Sequence, residues 1–159
     1  MSARALLVPR AELKRIVDAA EAAYPREACG LLIGRIEDDG ARRVSRIAES
    51  ANVDASGRPD RFEIDARAYI ETERDLRGSA ESVIGLYHSH CDFRAQPSTL
   101  DLELAWEPRF VWLIVAVEGG QAIHATAHAL SGDERRFEPL PLLSDDWEPY
   151  PERAPGGRS

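Results

Sequence analysis

The stretch that decides the fold is Ser82-Val83-Ile84-Gly85-Leu86-Tyr87-His88-Ser89-His90, a mostly apolar run that ends in two histidines. A short apolar run of this kind predicts a buried central strand. Side chains of a strand alternate between its two faces, so His88 and His90 are expected on the same side. Asp101 follows on the next predicted helix, and two imidazoles with one carboxylate form a three-ligand set that leaves a coordination position for water. The sequence therefore predicts a hydrolytic metal site at the end of this strand.

Helix and strand patterns alternate on both sides of this run, which predicts a domain of the α/β class. The predicted helices cover residues 11–24, 65–77 and 98–106. The predicted strands cover residues 29–36, 43–51, 82–90, 110–117 and 122–130, with a hairpin turn at 118–121. Asp65 is expected to cap the second helix, and Gly78 is expected to end it.

Composition narrows the class of protein. A chain of 159 residues predicts one domain, which we place at residues 1–143, followed by an acidic tail over 144–159 that is predicted to be disordered. The net charge of -8 argues against a nucleic-acid or anionic-membrane surface. No apolar run approaches a membrane span, and the amino terminus lacks the apolar stretch of a secretory signal. We therefore expect a cytoplasmic protein, whose oligomeric state the sequence leaves open.

Hydrolysis of an amide also needs a group that takes a proton from water and delivers it to the leaving nitrogen, a role that suits a glutamate. Glu27 shortly precedes the predicted strand 29–36, and it is the best candidate if that strand neighbours the histidine strand. Spacing alone does not single it out among the 28 aspartates and glutamates of the chain.

Three segments carry a resemblance to a known family. They are Pro25-Arg26-Glu27-Ala28-Cys29-Gly30-Leu31-Leu32-Ile33-Gly34, Arg61-Phe62-Glu63-Ile64-Asp65, and Gly85-Leu86-Tyr87-His88-Ser89-His90 with Ser98 and Asp101. Together they resemble the JAMM (MPN+) metalloprotease family, and most of all its compact prokaryotic branch, over about Ala5 to Leu142. A glutamate followed by His-x-His, seven residues, Ser, two residues and Asp is a highly specific pattern.

The resemblance implies a single MPN/JAB domain, cytidine-deaminase-like, with a curved mixed sheet flanked by helices. It implies that His88, His90 and Asp101 hold Zn²⁺, that Glu27 is the general base and acid, and that Ser98 donates a hydrogen bond to the oxyanion. It also implies cleavage of the amide bond after the carboxyl-terminal tail of a ubiquitin-like or sulfur-carrier protein. Many relatives carry proline directly after the second histidine, where this chain has Cys91.

Several of these residues have a simpler interpretation as well. Ser98-Thr99-Leu100-Asp101 resembles a helix capping box, and a capping role is compatible with the metal role. His124 and His128 are interpreted as a pair on one strand face rather than a helical metal pair. Tyr87, Trp106, Phe110 and Trp112 are predicted core residues, and Trp147 and Tyr150 are assigned to the tail.

The two cysteines have competing interpretations. A disulfide between Cys29 and Cys91 could gate the site if their strands are neighbours, although buried idle thiols are favoured. An extended backbone would turn the Cys91 side chain away from the metal, so it is not expected to be a fourth ligand.

Two other functions stay open from the sequence. The domain could be a catalytically silent MPN-type binding scaffold, although silent members usually lack a metal ligand. It could also be a peptidase for short peptides, such as those of cell walls, because a fold does not choose a substrate.

Overall fold

The computed structural model of the chain describes residues 4–92, 107, 109–130 and 136–145. In this part of the chain, eight strands form one sheet and two helices pack on it. The strands are β1 (Leu6–Leu7), β2 (Cys29–Ile36), β3 (Arg42–Ser50), β4 (Ser82–Cys91), β5 (Val111–Glu118), β6 (Gln121–Leu130), β7 (Phe137–Leu140) and β8 (Leu142–Leu143). The helices are α1 (Arg10–Ala23) and α2 (Ala66–Leu76).

The predicted strands, and the first two predicted helices, are found within one residue of their predicted bounds. The Asp65 side chain accepts a hydrogen bond from the Arg67 amide, which confirms the predicted cap of α2. Phe110 and Trp112 are buried core residues as predicted, and so is Tyr87. The predicted helix 98–106, Trp106, Trp147 and Tyr150 lie outside the described residues, so those predictions remain untested.

Three short strands were not predicted. Strands β1 and β8 each span two residues, which is too short for any periodicity to appear in the sequence. Strand β7 contains Pro139, and a proline argues against a central strand; it is tolerated here because β7 is an edge strand that pairs with β6 alone.

The sheet is mixed and strongly curved. Its strand order is β7-β6-β5-β4-β2-β3-β1-β8, with β4 parallel to β5 and antiparallel to β2. The two strands at opposite ends of this order, β7 and β8, are separated in the chain by Pro141 alone. A single short segment therefore joins both edges of the sheet, which nearly closes on itself. The predicted curved mixed sheet is confirmed.

The two helices cover opposite faces of the sheet. Helix α1 buries Leu13, Ile16, Val17 and Ala20 in the larger core, and α2 contributes Leu76 to a second, smaller core. This arrangement matches the predicted flanking helices. No helix in the described ranges is long and apolar enough to cross a membrane.

Two glutamates of α1 tie the helix to strands on either side of it. Glu12 accepts a hydrogen bond of 2.8 Å from the Ile47 amide of β3. Glu21 accepts one of 3.2 Å from the Ala122 amide of β6. Both amides therefore have a hydrogen-bond partner at positions where the strand pairing is incomplete. This avoids the free-energy cost of an unpaired backbone N–H in β3 and β6.

Candidate metal centre

Strand β4 carries His88 and His90 at its carboxyl end, where both side chains leave the same face of the sheet. The two residues are 0% and 5% exposed, and their Nε2 atoms lie 3.1 Å apart. Two imidazoles bound at about 2.0–2.1 Å to one tetrahedral zinc ion would hold their nitrogens about 3.3 Å apart. The histidine pair is therefore already spaced to share one ion.

Glu27 reaches the same place from the neighbouring strand. Antiparallel pairing sets Cys29 opposite His88, and a hydrogen bond of 3.0 Å from the Ser89 amide to the Ala28 carbonyl continues the pairing toward Glu27. The Glu27 carboxylate and one ring nitrogen of each histidine lie within 4.8 Å of one another. The predicted adjacency of the two strands is confirmed.

The donor set of this cluster suits a divalent metal ion. Imidazole nitrogens and carboxylate oxygens are the ligand types that zinc takes in hydrolytic enzymes. Glu27 is only 3% exposed, and a buried carboxylate charge is costly unless a positive charge or hydrogen bonds compensate it. Ser98 and Asp101 lie outside the described residues, so their roles stay predictions.

Comparison with known proteins identifies the family. Residues 9–131 match the family described as "Prokaryotic homologs of the JAB domain". The chain belongs to this family. The predicted JAMM/MPN membership and the predicted single JAB fold are thereby confirmed.

Relatives of this JAB-domain protein are enzymes. It is 34% identical to desampylase of Haloferax volcanii over 112 residues. This alignment covers 70% of this chain and 75% of desampylase. It is 32% identical to CysO-cysteine peptidase of Mycobacterium tuberculosis over 112 residues. This alignment covers 70% of this chain and 73% of the peptidase. These names confirm the prediction of a peptidase and speak against a silent scaffold.

A solved structure supports the same fold. The solution structure of a protein from Desulfitobacterium hafniense aligns with a TM-score of 0.75 at 27% identity. The alignment covers 88% of this chain and 92% of that one. The likeness therefore extends beyond the residues around the metal centre.

An aromatic wall lies against the first histidine of the JAB site. The Phe62 ring stacks on His88 with centroids 4.4 Å apart and an angle of 15° between the planes. Trp112 of β5 meets the same imidazole edge-on at 5.4 Å. The two rings restrict the orientation of His88, as the groups behind a metal ligand commonly do. Phe62 belongs to a segment that resembles the family, but its contact with His88 was not predicted.

A groove of about 650 Å³ opens beside this wall. It runs between the segment that precedes α2, the first turns of α2, and strands β4 and β5. Its apolar lining includes Phe62, Ile64, Tyr69, Ile70, Leu86 and Trp112, and its charged residues are Asp54, Arg61 and Glu63. Ile70 is 56% exposed, which is unusual for a large apolar side chain. The groove adjoins the metal centre through Phe62 and Trp112, the two rings that contact His88.

The two cysteines are on opposite faces of the sheet. Cys29 pairs with His88 and therefore shares its face, whereas Cys91 follows His90 and points to the other side. The Cys91 thiol donates to the Arg26 carbonyl at 3.3 Å, while Cys29 lies 3.7 Å from the Ala51 carbonyl. Both thiols are free and buried. The disulfide hypothesis is therefore wrong, and the expected outward turn of Cys91 from the metal site is confirmed.

Both thiols are held in the protonated form, which is unreactive. Burial is the main reason that the pKa of Cys29 rises to about 12 and that of Cys91 to about 11. The nearby Glu27 carboxylate raises both pKa values further. Since the thiolate is the nucleophile and the metal ligand, neither cysteine is suited to catalysis or redox chemistry near neutral pH.

The other two histidines form no second metal site in the described part of the chain. His124 and His128 lie on β6, which confirms their assignment to a strand. The Nε2 atom of His128 lies 2.9 Å from the Thr126 hydroxyl, which sits between them on the same face. This neighbouring side chain accounts for the placement of His128 without a metal.

Proposed function

We propose that this chain is a zinc-dependent peptidase that hydrolyses the amide bond after the carboxyl-terminal tail of a small ubiquitin-like or sulfur-carrier protein. The convergence of the Glu27 carboxylate with the imidazoles of His88 and His90 within 4.8 Å carries the proposal. Family membership supports it, because the JAMM pattern assigns the two histidines to the metal and the glutamate to general acid–base catalysis. We place the activity in the cytoplasm, where buried free thiols are the common state of cysteine.

The proposed roles of the residues follow from their positions. His88 and His90 would hold a zinc ion, with Asp101 as the third ligand. A bound zinc ion would supply a Lewis acid that polarises the scissile carbonyl and lowers the pKa of the attacking water. Glu27 takes the proton of that water and delivers it to the leaving nitrogen.

Burial makes Glu27 effective in that role. At 3% exposure, its carboxylate works where water does not screen charges, so its interaction with a developing positive charge is stronger than at the surface. Ser98 is proposed to donate to the oxyanion, as the family resemblance implies.

The proposed substrate class rests on the relatives and on the groove. Desampylase acts on a ubiquitin-like protein and CysO-cysteine peptidase on a sulfur-carrier protein. The groove of about 650 Å³ starts at the Phe62 ring, which stacks on His88. An extended tail that entered it would lie against apolar side chains of α2 and β4, with its end directed at the histidines.

The test uses the purified, reduced chain loaded with zinc. We expect about one zinc per chain, and cleavage of a ubiquitin-like or sulfur-carrier fusion that a chelator stops and zinc restores. Glu27→Gln should lower kcat by about 10²–10⁴-fold while zinc stays bound. The matched control is Glu49→Gln, since Glu49 lies near Glu27 but its side chain is 57% exposed.

Two results would contradict the proposal. Retained cleavage by zinc-loaded Glu27→Gln would remove Glu27 from its role. Equal cleavage of the free tail peptide and of the same tail on its folded carrier would favour a short-peptide peptidase instead.

A further inference from the structure

The peptide group between Glu27 and Ala28 is held from both of its sides. The Ala28 amide donates a hydrogen bond of 2.8 Å to the Ser89 hydroxyl. The Glu27 carbonyl accepts one of 3.0 Å from the Asn52 side-chain amide. Because a peptide group is planar, fixing its N–H and its C=O fixes the place of the Glu27 Cα, the atom from which the side chain leaves the backbone.

Ser89 makes the first contact from behind the metal centre. It lies between His88 and His90 in sequence, so its side chain points to the opposite face of β4, where it is 0% exposed. Its own amide donates to the Ala28 carbonyl at 3.0 Å. One residue therefore binds both backbone groups of Ala28, and it extends the β2–β4 pairing past Cys29 toward the base.

Asn52 makes the second contact, and its side chain forms four hydrogen bonds. Its Nδ2 donates to the carbonyls of Glu27 and Arg61, each at 3.0 Å. Its Oδ1 accepts from the amides of Asp54 and Glu63, each at 3.1 Å. These four bonds use the hydrogen-bonding capacity of a carboxamide.

The partners of Asn52 connect two parts of the site. Arg61 and Glu63 flank Phe62, whose ring stacks on His88 at 4.4 Å. One amide side chain thus ties the backbone of the base to the segment that places the aromatic wall on the histidine. The position of Glu27 relative to His88 is fixed through β4 by Ser89 and through Phe62 by Asn52.

We propose that Ser89 and Asn52 are positioning residues, which set the place of the Glu27 carboxylate relative to the two histidines. The inference rests on the proposed function, in which Glu27 is the base. Neither residue is required to touch substrate. Since a displacement of about 1 Å can cost about 10²-fold in rate, their loss should lower kcat and leave zinc content nearly unchanged. KM should stay nearly unchanged in the Ser89 variant, whereas Asn52 also holds Arg61 and Glu63 of the groove.

The variants that test this role are Ser89→Ala, which removes the acceptor, and Asn52→Asp, which removes both donors in an isosteric side chain. Each should lower kcat by about 10–100-fold. Ser89→Thr keeps the hydroxyl and should retain most of the activity. Ser45→Ala is the matched control, because the Ser45 hydroxyl donates to the Ile33 carbonyl near the other end of β2, far from the base.

The kinetic outcomes decide the proposal. It is overturned if folded, zinc-loaded Ser89→Ala and Asn52→Asp keep a kcat within about 3-fold of Ser45→Ala, well below the loss expected for a group that orients the site. It is also overturned for Ser89 if the threonine variant is as slow as the alanine variant. A fall in kcat at unchanged zinc content, with KM unchanged in Ser89→Ala, supports it, since partial unfolding would lower the zinc content together with the apparent kcat.

A measurement on the unaltered protein covers the case in which a variant does not fold. Hydrogen exchange at the Ala28 amide should be slow in the wild-type chain, because its acceptor is buried. Exchange at the rate of an exposed loop would overturn the inference. Absence of all tail cleavage by zinc-loaded wild-type chain would instead remove the proposed function, and the Ala28 amide would still report whether the backbone is held.

Discussion

The two faces of the buried strand β4 have different roles. On one face, His88 and His90 meet Glu27, and Phe62 of the groove stacks on His88. On the other face, Tyr87 packs into the core beneath α1, and the Ser89 hydroxyl accepts from the Ala28 amide just before β2. The comparison teaches that a strand covered on both sides can present its chemistry on one face while the other face fixes the backbone that supports it.

The largest effect should come from the site face. Phe62→Leu keeps an apolar side chain but removes the ring that stacks on His88. We expect a loss of about 10–100-fold in zinc affinity or in activity, as for other groups that orient a metal ligand. Metal titration and kcat/KM measurements check this.

Phe137→Leu is the control for that variant. Phe137 contacts Trp112 in the same core at 5.2 Å and should change stability with little change in zinc affinity. Equal losses of zinc affinity in the two variants would mean that the aromatic wall has no specific role.

On the opposite face the effect should be on stability. Gly30 pairs with Tyr87, and a Cβ at position 30 would lie 2.4 Å from the tyrosine ring. Gly30→Ala should therefore lower the free energy of unfolding by about 1–3 kcal/mol through overpacking. Urea unfolding measures it, and adding Tyr87→Leu should recover part of the loss; strictly additive effects would contradict the predicted clash.

The two thiols, one on each face, extend the comparison to the pH dependence of folding stability. Burial raises the pKa of Cys29 from 9.0 to about 12, so the unfolded chain releases this proton at a lower pH than the folded one. The resulting stability is fully present below pH 9 and is lost as pH rises toward 12, with a slope of up to about 1.4 kcal/mol per pH unit.

Urea unfolding between pH 8 and 10.5 checks this expectation. Cys29→Ala and Cys91→Ala should each flatten the alkaline loss, because the folded pKa values of about 12 and about 11 both lie above this range. The same slope in both variants and in the wild type would show that neither thiol contributes.

The smallest effect is expected for Tyr87→Phe. The Tyr87 hydroxyl is buried and has no hydrogen-bond partner among the described residues, and burial raises its pKa well above the ordinary value. Removal of an unsatisfied hydroxyl should leave stability within about 0.5 kcal/mol or raise it slightly. A loss of more than about 1 kcal/mol would reveal a partner for this hydroxyl.

Most of the regular elements could be predicted because their signals are local. The apolar periodicity of α1, the cap at Asp65 and the apolar runs of β2, β4 and β5 each lie within a few neighbouring residues. The short strands β1 and β8 could not be predicted, because two residues carry no period. Their pairing depends on the closure of the whole sheet.

The site was predictable in part. The spacing of His88 and His90 identifies them as candidate metal ligands, whereas only the family pattern singles out Glu27. Asn52 carries no signal in the sequence, since an asparagine before a polar loop is common. Its importance comes from hydrogen bonds to Glu27 and Arg61, which are 25 and 9 positions away.

By itself, the sequence determined that His88 and His90 share a face and that a strand precedes them, because the alternation of side chains is a property of any extended backbone. Only the tertiary structure decided that Cys29 stands opposite His88, and that Glu27 therefore arrives beside the two imidazoles. The register of β2 against β4 is a long-range choice, because no turn joins these two strands and it is set by which apolar faces can be buried together in the core.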